Sequence, residues 1–443
     1  MNQINNVVRL LYRAPYCNVL MMARFNGNIS KDSLEAALSI ARLKYPMLNA
    51  KILQDDKGNI EYAFDYNQKF IINFYDNKSD ADWLELAWNE QKIPFNFQND
   101  LLIKFLLICK SETTDLVVIC HHCICDGLSL TYLIKDIALF IDNPDKEVQQ
   151  LSMPPEISKE NLSVDYTMGF SGFITKILAK SLNRSWNKSK VVFTEKDYEN
   201  LYNEYWKTKN IGLMTFSLTK DITAALIDKC HSERMSVNSA LTTAFSLSQY
   251  ELQGNRQLYL RKALLAINIR HLFKNPQQDN FGFLAVGNEI TLPFGKDGFW
   301  NIAGRFNSDM KEMLANPNKI FEIIAPIDYI EPTLLDAIYF VENGTLKNKA
   351  AVRFKNIVLS KTGKPKRSLD ITNIGTVKDC SSNLQTLFFI PILSGNYEKT
   401  IGIVTINGEM NIVVMHDHAV INKDIIEKLR QCIISIITEA IQQ

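Results

Sequence analysis

The sequence predicts an α/β fold of two lobes, each a mixed sheet with covering helices, and three observations carry that expectation. Strand-like and helical segments alternate along most of the chain, the composition turns proline-, asparagine- and aspartate-rich near residue 150, and 443 residues suffice for about two or three domains. At 46% hydrophobic residues the chain can fill substantial cores. The expected organisation is an N-terminal lobe over residues 1–150, a linker with a basic amphipathic helix over 151–210, and a C-terminal lobe over 211–443.

Residues 19–25 read as a strand, and Ser30 is placed to cap a helix whose apolar positions Leu34, Leu38 and Ala41 recur at helical spacing until Pro46. Residues 102–109 and 116–120, separated by a polar stretch, form a hairpin. After Gly127 the apolar residues Leu130, Leu133, Ile134, Ile137 and Ile141 mark a helix. Asp142-Asn143-Pro144-Asp145 and Met153-Pro154-Pro155 then read as a linker. Residues 167–192 include basic residues but no acidic one, with Phe173, Ile174, Ile177, Leu178 and Trp186 interleaved. Such a stripe fits a membrane-surface helix, but the more ordinary expectation is that its apolar face packs on the protein while Lys176, Lys180, Arg184 and Lys188 stay solvated.

The second lobe is expected to open with a strand at 211–218 and helices at 220–230 and 237–249. Strand-like stretches at 258–269 and 284–292 follow, with a turn at Asn280-Phe281-Gly282 between them. The chain closes with strands at 401–406 and 411–415 around an Asn407-Gly408 hairpin turn, then an amphipathic helix over 423–441.

A formal charge of +1, from 49 basic and 48 acidic residues, gives no global argument for nucleic acid as a partner. Eight cysteines, several in apolar runs such as Leu106-Leu107-Ile108-Cys109, lack the regular short spacings of a disulfide framework and are expected to be reduced and buried. The opening residues lack the charged-then-apolar layout of a secretory signal, and no apolar run approaches the roughly 20 residues that span a bilayer. A cytoplasmic location is expected.

The most informative stretch is His121-His122-Cys123-Ile124-Cys125-Asp126-Gly127, lying between the second strand of the hairpin and the following helix. A strand end that runs into a helix N-terminus fixes side-chain direction and gathers free backbone N–H groups, as base chemistry on a polarised carbonyl requires. An imidazole with a pKa of about 6.5 offers a neutral proton acceptor at physiological pH. Two other readings stand beside this one. His121, His122, Cys123, Cys125 and Asp126 are all metal-ligand types, but a structural zinc site takes two separated ligand pairs, and only His416 and His418, flanking Asp417, offer help. Packed or solvated histidines without chemistry are the plain alternative, against which the strand-turn-helix context counts.

The pattern H-H-x-x-x-D-G resembles the signature of the condensation-domain and chloramphenicol-acetyltransferase-like superfamily of thioester-dependent acyltransferases, which includes alcohol acetyltransferases and polyketide-associated acyltransferases. The resemblance implies two chloramphenicol-acetyltransferase-like lobes with the active site in a tunnel between them. His122 would be the base that takes a proton from the attacking acceptor, and His121 would be structural or orienting. Asp126, on a sharp turn before Gly127, is expected to point back into the structure toward a buried cation. Arg270, in Ile267-Asn268-Ile269-Arg270, resembles the family's arginine element, and a planar guanidinium can hold such a carboxylate bidentately.

Tyr45-Pro46-Met47-Leu48-Asn49-Ala50 resembles the family's exit from its first helix. Asp370-Ile371-Thr372-Asn373-Ile374-Gly375 resembles the Ser/Thr-Asn-x-Gly element opposite the histidine loop. By that likeness the Thr372 hydroxyl and Asn373 amide would steady an oxyanion or place the acceptor, with Gly127 and Gly375 completing the substrate-binding set. The alternative is an Asx-type turn ending a strand. The sequence departs from plant alcohol acyltransferases, whose Asp-Phe-Gly-Trp-Gly element is met only by Asn280-Phe281-Gly282-Phe283, so plant-type substrates are not implied.

The activity implied is O- or N-acyl transfer to a small alcohol or amine. The donor, an acyl-coenzyme A or an acyl carrier protein's phosphopantetheine thioester, would serve as co-substrate, with no bound cofactor or metal. Direct transfer asks for no acyl-cysteine, so Cys123 and Cys125 are not expected to be nucleophiles. A free-standing nonribosomal-peptide condensation domain, joining carrier-bound groups through amide bonds and needing partner proteins, is the first alternative. A catalytically silent relative that binds an acyl or carrier partner is the second.

Overall fold

In the computed structural model, which describes residues 3–76, 82–254, 258–359 and 365–443, the expected hairpin forms the middle of a five-stranded sheet. The strands in chain order are β1 (Asn18–Asn26), β2 (Ala50–Gln54), β3 (Ile60–Phe64), β4 (Ile71–Tyr75), β5 (Ile103–Cys109), β6 (Thr113–His121) and β7 (Ile211–Leu218). They continue with β8 (Lys262–Asn268), β9 (Ala285–Thr291), β10 (Arg367–Val377), β11 (Leu384–Ile390), β12 (Tyr397–Ile406) and β13 (Glu409–Asp417). The first sheet runs β11-β1-β6-β5-β4, the second β7-β13-β12-β10-β8-β9, and β2 and β3 pair apart.

β5 and β6 are apolar almost throughout because both faces of their sheet are covered, which removes the alternation that a half-exposed strand would show. Phe105, Leu107, Leu116 and Val118 face a core shared with the helices Lys31–Lys44 and Gly127–Asp142. Leu106, Ile108, Val117 and Ile119 face the other way, into a core that includes Val413 and Met415 of β13. The two sheets are therefore welded by apolar packing, and the histidine loop at the end of β6 lies where they meet.

β11 strengthens that joint. It comes from the C-terminal stretch of the chain yet pairs antiparallel with β1, Leu20 opposite Ile390 and Ala23 opposite Leu387, at the edge of the first sheet. Gly402 of β12 lies under the Phe389 carbonyl of this strand, where a Cβ would collide with backbone. The N-terminal helix Asn6–Tyr12 makes a second tie, as Arg9 forks onto Asp336 of the helix Pro332–Glu342, both buried.

Local signals act as expected at several ends. The Ser30 side chain accepts from the Ser33 amide, and Asn407 and Gly408 both take positive φ in the β12–β13 turn, as a two-residue hairpin of that twist requires. Two expectations are corrected. Leu258–Arg261 forms a 3-10 turn, so the strand there starts only at Lys262. The basic helix Gly169–Asn187 buries Ala179, Leu182 and Trp186, but Phe173, Ile174, Ile177 and Leu178 are exposed rather than packed. Its apolar residues span more of the helix circumference than the single face that meets the protein can cover. No helix among the described residues is long and apolar enough to cross a membrane.

Candidate active site

His121 is the last residue of β6, and Cys123-Ile124 turn the chain toward Asp126, which caps the helix Gly127–Asp142. The turn is fixed on several sides. The His122 amide donates to the Cys17 carbonyl at 2.8 Å, and the Tyr62 hydroxyl donates to the Cys123 carbonyl at 2.7 Å.

The two histidines meet different surroundings. His121 is buried, edge-on to Phe97 at 5.0 Å and to Phe95 at 6.4 Å, and its Nδ1 accepts from the Cys123 amide at 3.3 Å. Its Nε2 has no partner among the described residues. Burial, and to a lesser degree the neighbouring His122, pushes its pKa down to about 3, so this ring is neutral at ordinary pH.

His122 is half-buried, and its Nδ1 lies 2.7 Å from the Cys125 carbonyl oxygen. A carbonyl can only accept, so Nδ1 must carry the proton and Nε2 keeps its lone pair. Burial pulls the His122 pKa below the ordinary histidine value, against the Cys125 hydrogen bond and the Asp126 charge, which raise it. The result is a neutral imidazole of defined tautomer with its basic nitrogen unspent.

Asp126 does not reach His122 but turns inward. Arg270 Nη1 and Nη2 donate to its Oδ2 and Oδ1, each at 2.9 Å, in a buried fork. The Ser129 amide and hydroxyl both donate to Oδ1 at 2.9 Å, and the Leu284 amide donates to Oδ2 at 3.1 Å. Burial alone would raise the Asp126 pKa, but the Arg270 charge and these bonds hold it below the usual carboxylate value.

The network also fixes the segment 280–284. Arg270 Nη2 donates to the Asn280 carbonyl at 3.0 Å, Ser129 Oγ lies 2.9 Å from the Gly282 carbonyl, and Leu284 is held by Asp126. Phe283 is thereby set edge-on to His122, with ring centroids 4.9 Å apart. Phe283 and Cys123 also line a cavity of about 300 Å³ walled by Ile4, Val8, Met47 and Tyr62. Phe283 and Ser129 did not stand out in the sequence, where a phenylalanine after a Gly turn and a serine in a first helical turn are unremarkable. Only the fold shows what they touch.

The second element foreseen from the sequence lies against the first. Asn373 Oδ1 accepts from the Gly375 amide at 2.9 Å, Gly375 has φ +87°, and the β10–β12 register shifts between Asn373 and Thr376. This Asx turn is a bulge inside β10 rather than its end, and it presses Ile374 onto Gly127. A Cβ on Gly127 would collide with Ile374 Cδ1 and come within 2.9 Å of Phe389 Cζ. Thr372 is half-buried on the same strand.

The metal reading gains nothing. No group of three or more His, Cys, Asp or Glu among the described residues could hold an ion, and His416 and His418 lie edge to face with ring centroids 4.6 Å apart. Cys123 and Cys125 are buried, and burial pushes both thiols well above their ordinary pKa, which removes the thiolate that a nucleophile needs.

A family model described as "Condensation domain" matches residues 9–261, more than half the chain, and includes the histidine loop while ending short of Arg270. The chain belongs to the condensation-domain family. A plipastatin synthase of Bacillus subtilis is 32% identical over 130 residues, 27% of this chain, and the match spans 5% of that protein's length. The nonribosomal peptide synthetase agiA of Aspergillus flavus is 25% identical over 120 residues, 26% of this chain and 2% of its own. Condensation-domain architecture extends over the whole molecule. The trichothecene 15-O-acetyltransferase of Fusarium sporotrichioides superposes with a TM-score of 0.64 at 11% identity, covering 98% of this chain and 94% of that one. The first condensation domain of the CDA synthetase does so with 0.64 at 9%, covering 99% and 96%. At such identities the likeness is one of fold, and it includes the two-lobe, chloramphenicol-acetyltransferase-like layout.

Proposed function

We propose that this condensation-family chain is an acyltransferase that moves an acyl group from a coenzyme A or carrier-protein thioester to a hydroxyl or amine, with His122 as general base. The observation that carries the reading is the His122 tautomer. With Nδ1–H committed to the Cys125 carbonyl, Nε2 is the available base on a neutral ring.

In this reading the acceptor's oxygen or nitrogen attacks the thioester carbonyl carbon while His122 Nε2 takes its proton. The carbonyl π electrons move to oxygen, where Thr372 and Asn373 are the proposed neutral donors. Collapse of the tetrahedral intermediate re-forms the carbonyl and breaks the C–S bond, and the departing sulfur takes the proton back from the imidazolium. Asp126 and Arg270 act through position, holding the loop and Phe283, and His121 braces the turn by accepting from the Cys123 amide. The cavity beside Phe283 offers an apolar wall for one substrate.

The match of residues 9–261 to the condensation family favours a second reading, in which donor and acceptor are both carrier-bound and an amide is formed. One experiment separates them. Wild type and His122→Ala are incubated with acyl-coenzyme A of graded chain length and pooled alcohols and amines, then with carrier-bound aminoacyl donors and acceptors, and products are followed by mass spectrometry. Product from free acceptors in the first arm supports direct acyl transfer, and product only in the second supports the carrier-bound reading. Equal turnover by His122→Ala in either arm would remove the proposed base.

A further inference from the structure

We propose that the outer face of the helix Gly169–Asn187 docks on an anionic lipid bilayer. This inference is independent of the acyl-transfer reading and rests on exposure and charge. Phe173 is 63% exposed, Ile177 52% and Ile174 48%, and with Leu178 they form a protruding ridge whose members repeat at one helical turn. A soluble helix normally turns such residues inward, and exposed apolar clusters mark interaction sites.

The flank of the ridge is basic. Lys176, Lys180, Arg184 and Lys188 line one shallow surface groove together with Asn183 and Tyr329. Long lysine and arginine stems can lie along apolar surface while their charged ends reach outward, so headgroup phosphates would settle in the groove as the ridge enters the interface.

Charge along the chain reinforces this. No acidic residue occurs between Asp165 and Glu195, or between Glu342 and Asp370, and these two intervals hold thirteen of the chain's 49 basic residues. The rest of the chain is net acidic although the total is only +1. The two intervals meet in space, since Asn348 at the start of the helix Lys349–Val358 donates to Ser189 Oγ at 2.7 Å. Acidic neighbours among the described residues include Glu331, engaged by Lys190 at 2.8 Å, Asp328, which lines an adjoining hollow with Lys159, and Glu322, which lines another with Thr175 and lies 3.7 Å from the Lys319 ammonium.

A nucleic acid would match the charge and leave the apolar ridge unmatched. An acidic protein would need a complementary groove to receive a ridge of this length, whereas a bilayer interface accepts both groups without one.

The test is sedimentation of the full chain with vesicles of phosphatidylcholine alone and of phosphatidylcholine with phosphatidylglycerol. Wild type is expected to sediment with the anionic vesicles, to stay in the supernatant with the neutral ones, and to be released by added salt. Lys180→Gln/Arg184→Gln/Lys188→Gln should weaken partitioning by roughly fivefold for each charge removed. Phe173→Ser/Ile177→Ser should weaken it while thermal melting stays at the wild-type value, because both positions are solvent-facing. Absence of vesicle binding by wild type, equal binding to both vesicle types, or variants indistinguishable from wild type would each overturn the proposal. Capture of an acidic carrier protein that is lost in these variants, with no vesicle binding, would assign the face to protein docking instead.

Discussion

Arg270 grips Asp126 with both terminal nitrogens at 2.9 Å, across 144 residues of sequence and between the two sheets of the fold. Breaking a buried pair of this kind leaves one charge without a partner, which costs about 3–5 kcal/mol. Asp126→Asn and Arg270→Met should each lower stability by that order in denaturant titrations. The double variant should cost less than the sum, because it leaves no orphan charge. Each should also reduce turnover by displacing Phe283 from the His122 ring. If Asp126→Asn left both folding and turnover at wild-type levels, the positioning role of the pair would be lost.

The two adjacent histidines should respond in opposite ways. His122→Ala removes a half-buried ring with one hydrogen bond, so melting should change little while kcat falls by about a hundred- to ten-thousand-fold. His121→Ala opens a void against Phe95 and Phe97 and should cost roughly 1–3 kcal/mol. Paired melting and single-turnover assays on the two variants check this, and a stable but inactive His121→Ala would reverse the assignment.

pH should separate them again. As the proposed base His122 has to be proton-free, and its pKa is lowered, so kcat/KM should be flat at neutral pH, with its acidic limb below histidine's ordinary value of about 6.5. His121 bears on stability, since its folded pKa is about 3. Below about pH 6.5 the unfolded chain binds a proton there that the native state refuses. Stability from this group is therefore complete above about 6.5 and lost as pH falls toward 3, by at most about 1.4 kcal/mol per pH unit. Melting temperature against pH should show a component of this slope that His121→Asn removes.

Much of this site was legible in the sequence because its chemistry is local. A strand, a His-His turn, an N-capping Asp and a helix are consecutive, and the apolar spacing on either side announces them. Arg270 was reachable because a buried carboxylate demands a cation and the strand-like run Ile267 to Arg270 resembles the family's arginine element. What was not legible depends on contacts between distant segments. Nothing in residues 384–390 says that they leave their neighbours to pair with β1, and nothing in Phe283 says that it will lie against His122. The exposed ridge at Phe173 and Ile177 eluded periodicity for a related reason, as helical spacing reports which residues share a face but not whether anything covers it.

Gly127 gives the sharpest test of how the two sequence elements meet. It opens its helix without a positive φ, so its backbone does not demand glycine, and an alanine there should ordinarily favour the helix by up to about 1 kcal/mol. Here the added methyl group would collide with Ile374 Cδ1 and crowd Phe389 Cζ at 2.9 Å. Overpacking of this kind costs about 1–3 kcal/mol, so Gly127→Ala should lower the melting temperature rather than raise it. Ile374→Ala should recover part of the loss when combined with it, since it removes the atom in the way, and the recovery is read as a coupling energy in a double-mutant cycle. The same combination should restore turnover only if the bulge at Asn373 to Gly375 returns Thr372 to its place. An alanine that stabilised the protein would show instead that the histidine loop and the β10 bulge are not in contact in solution.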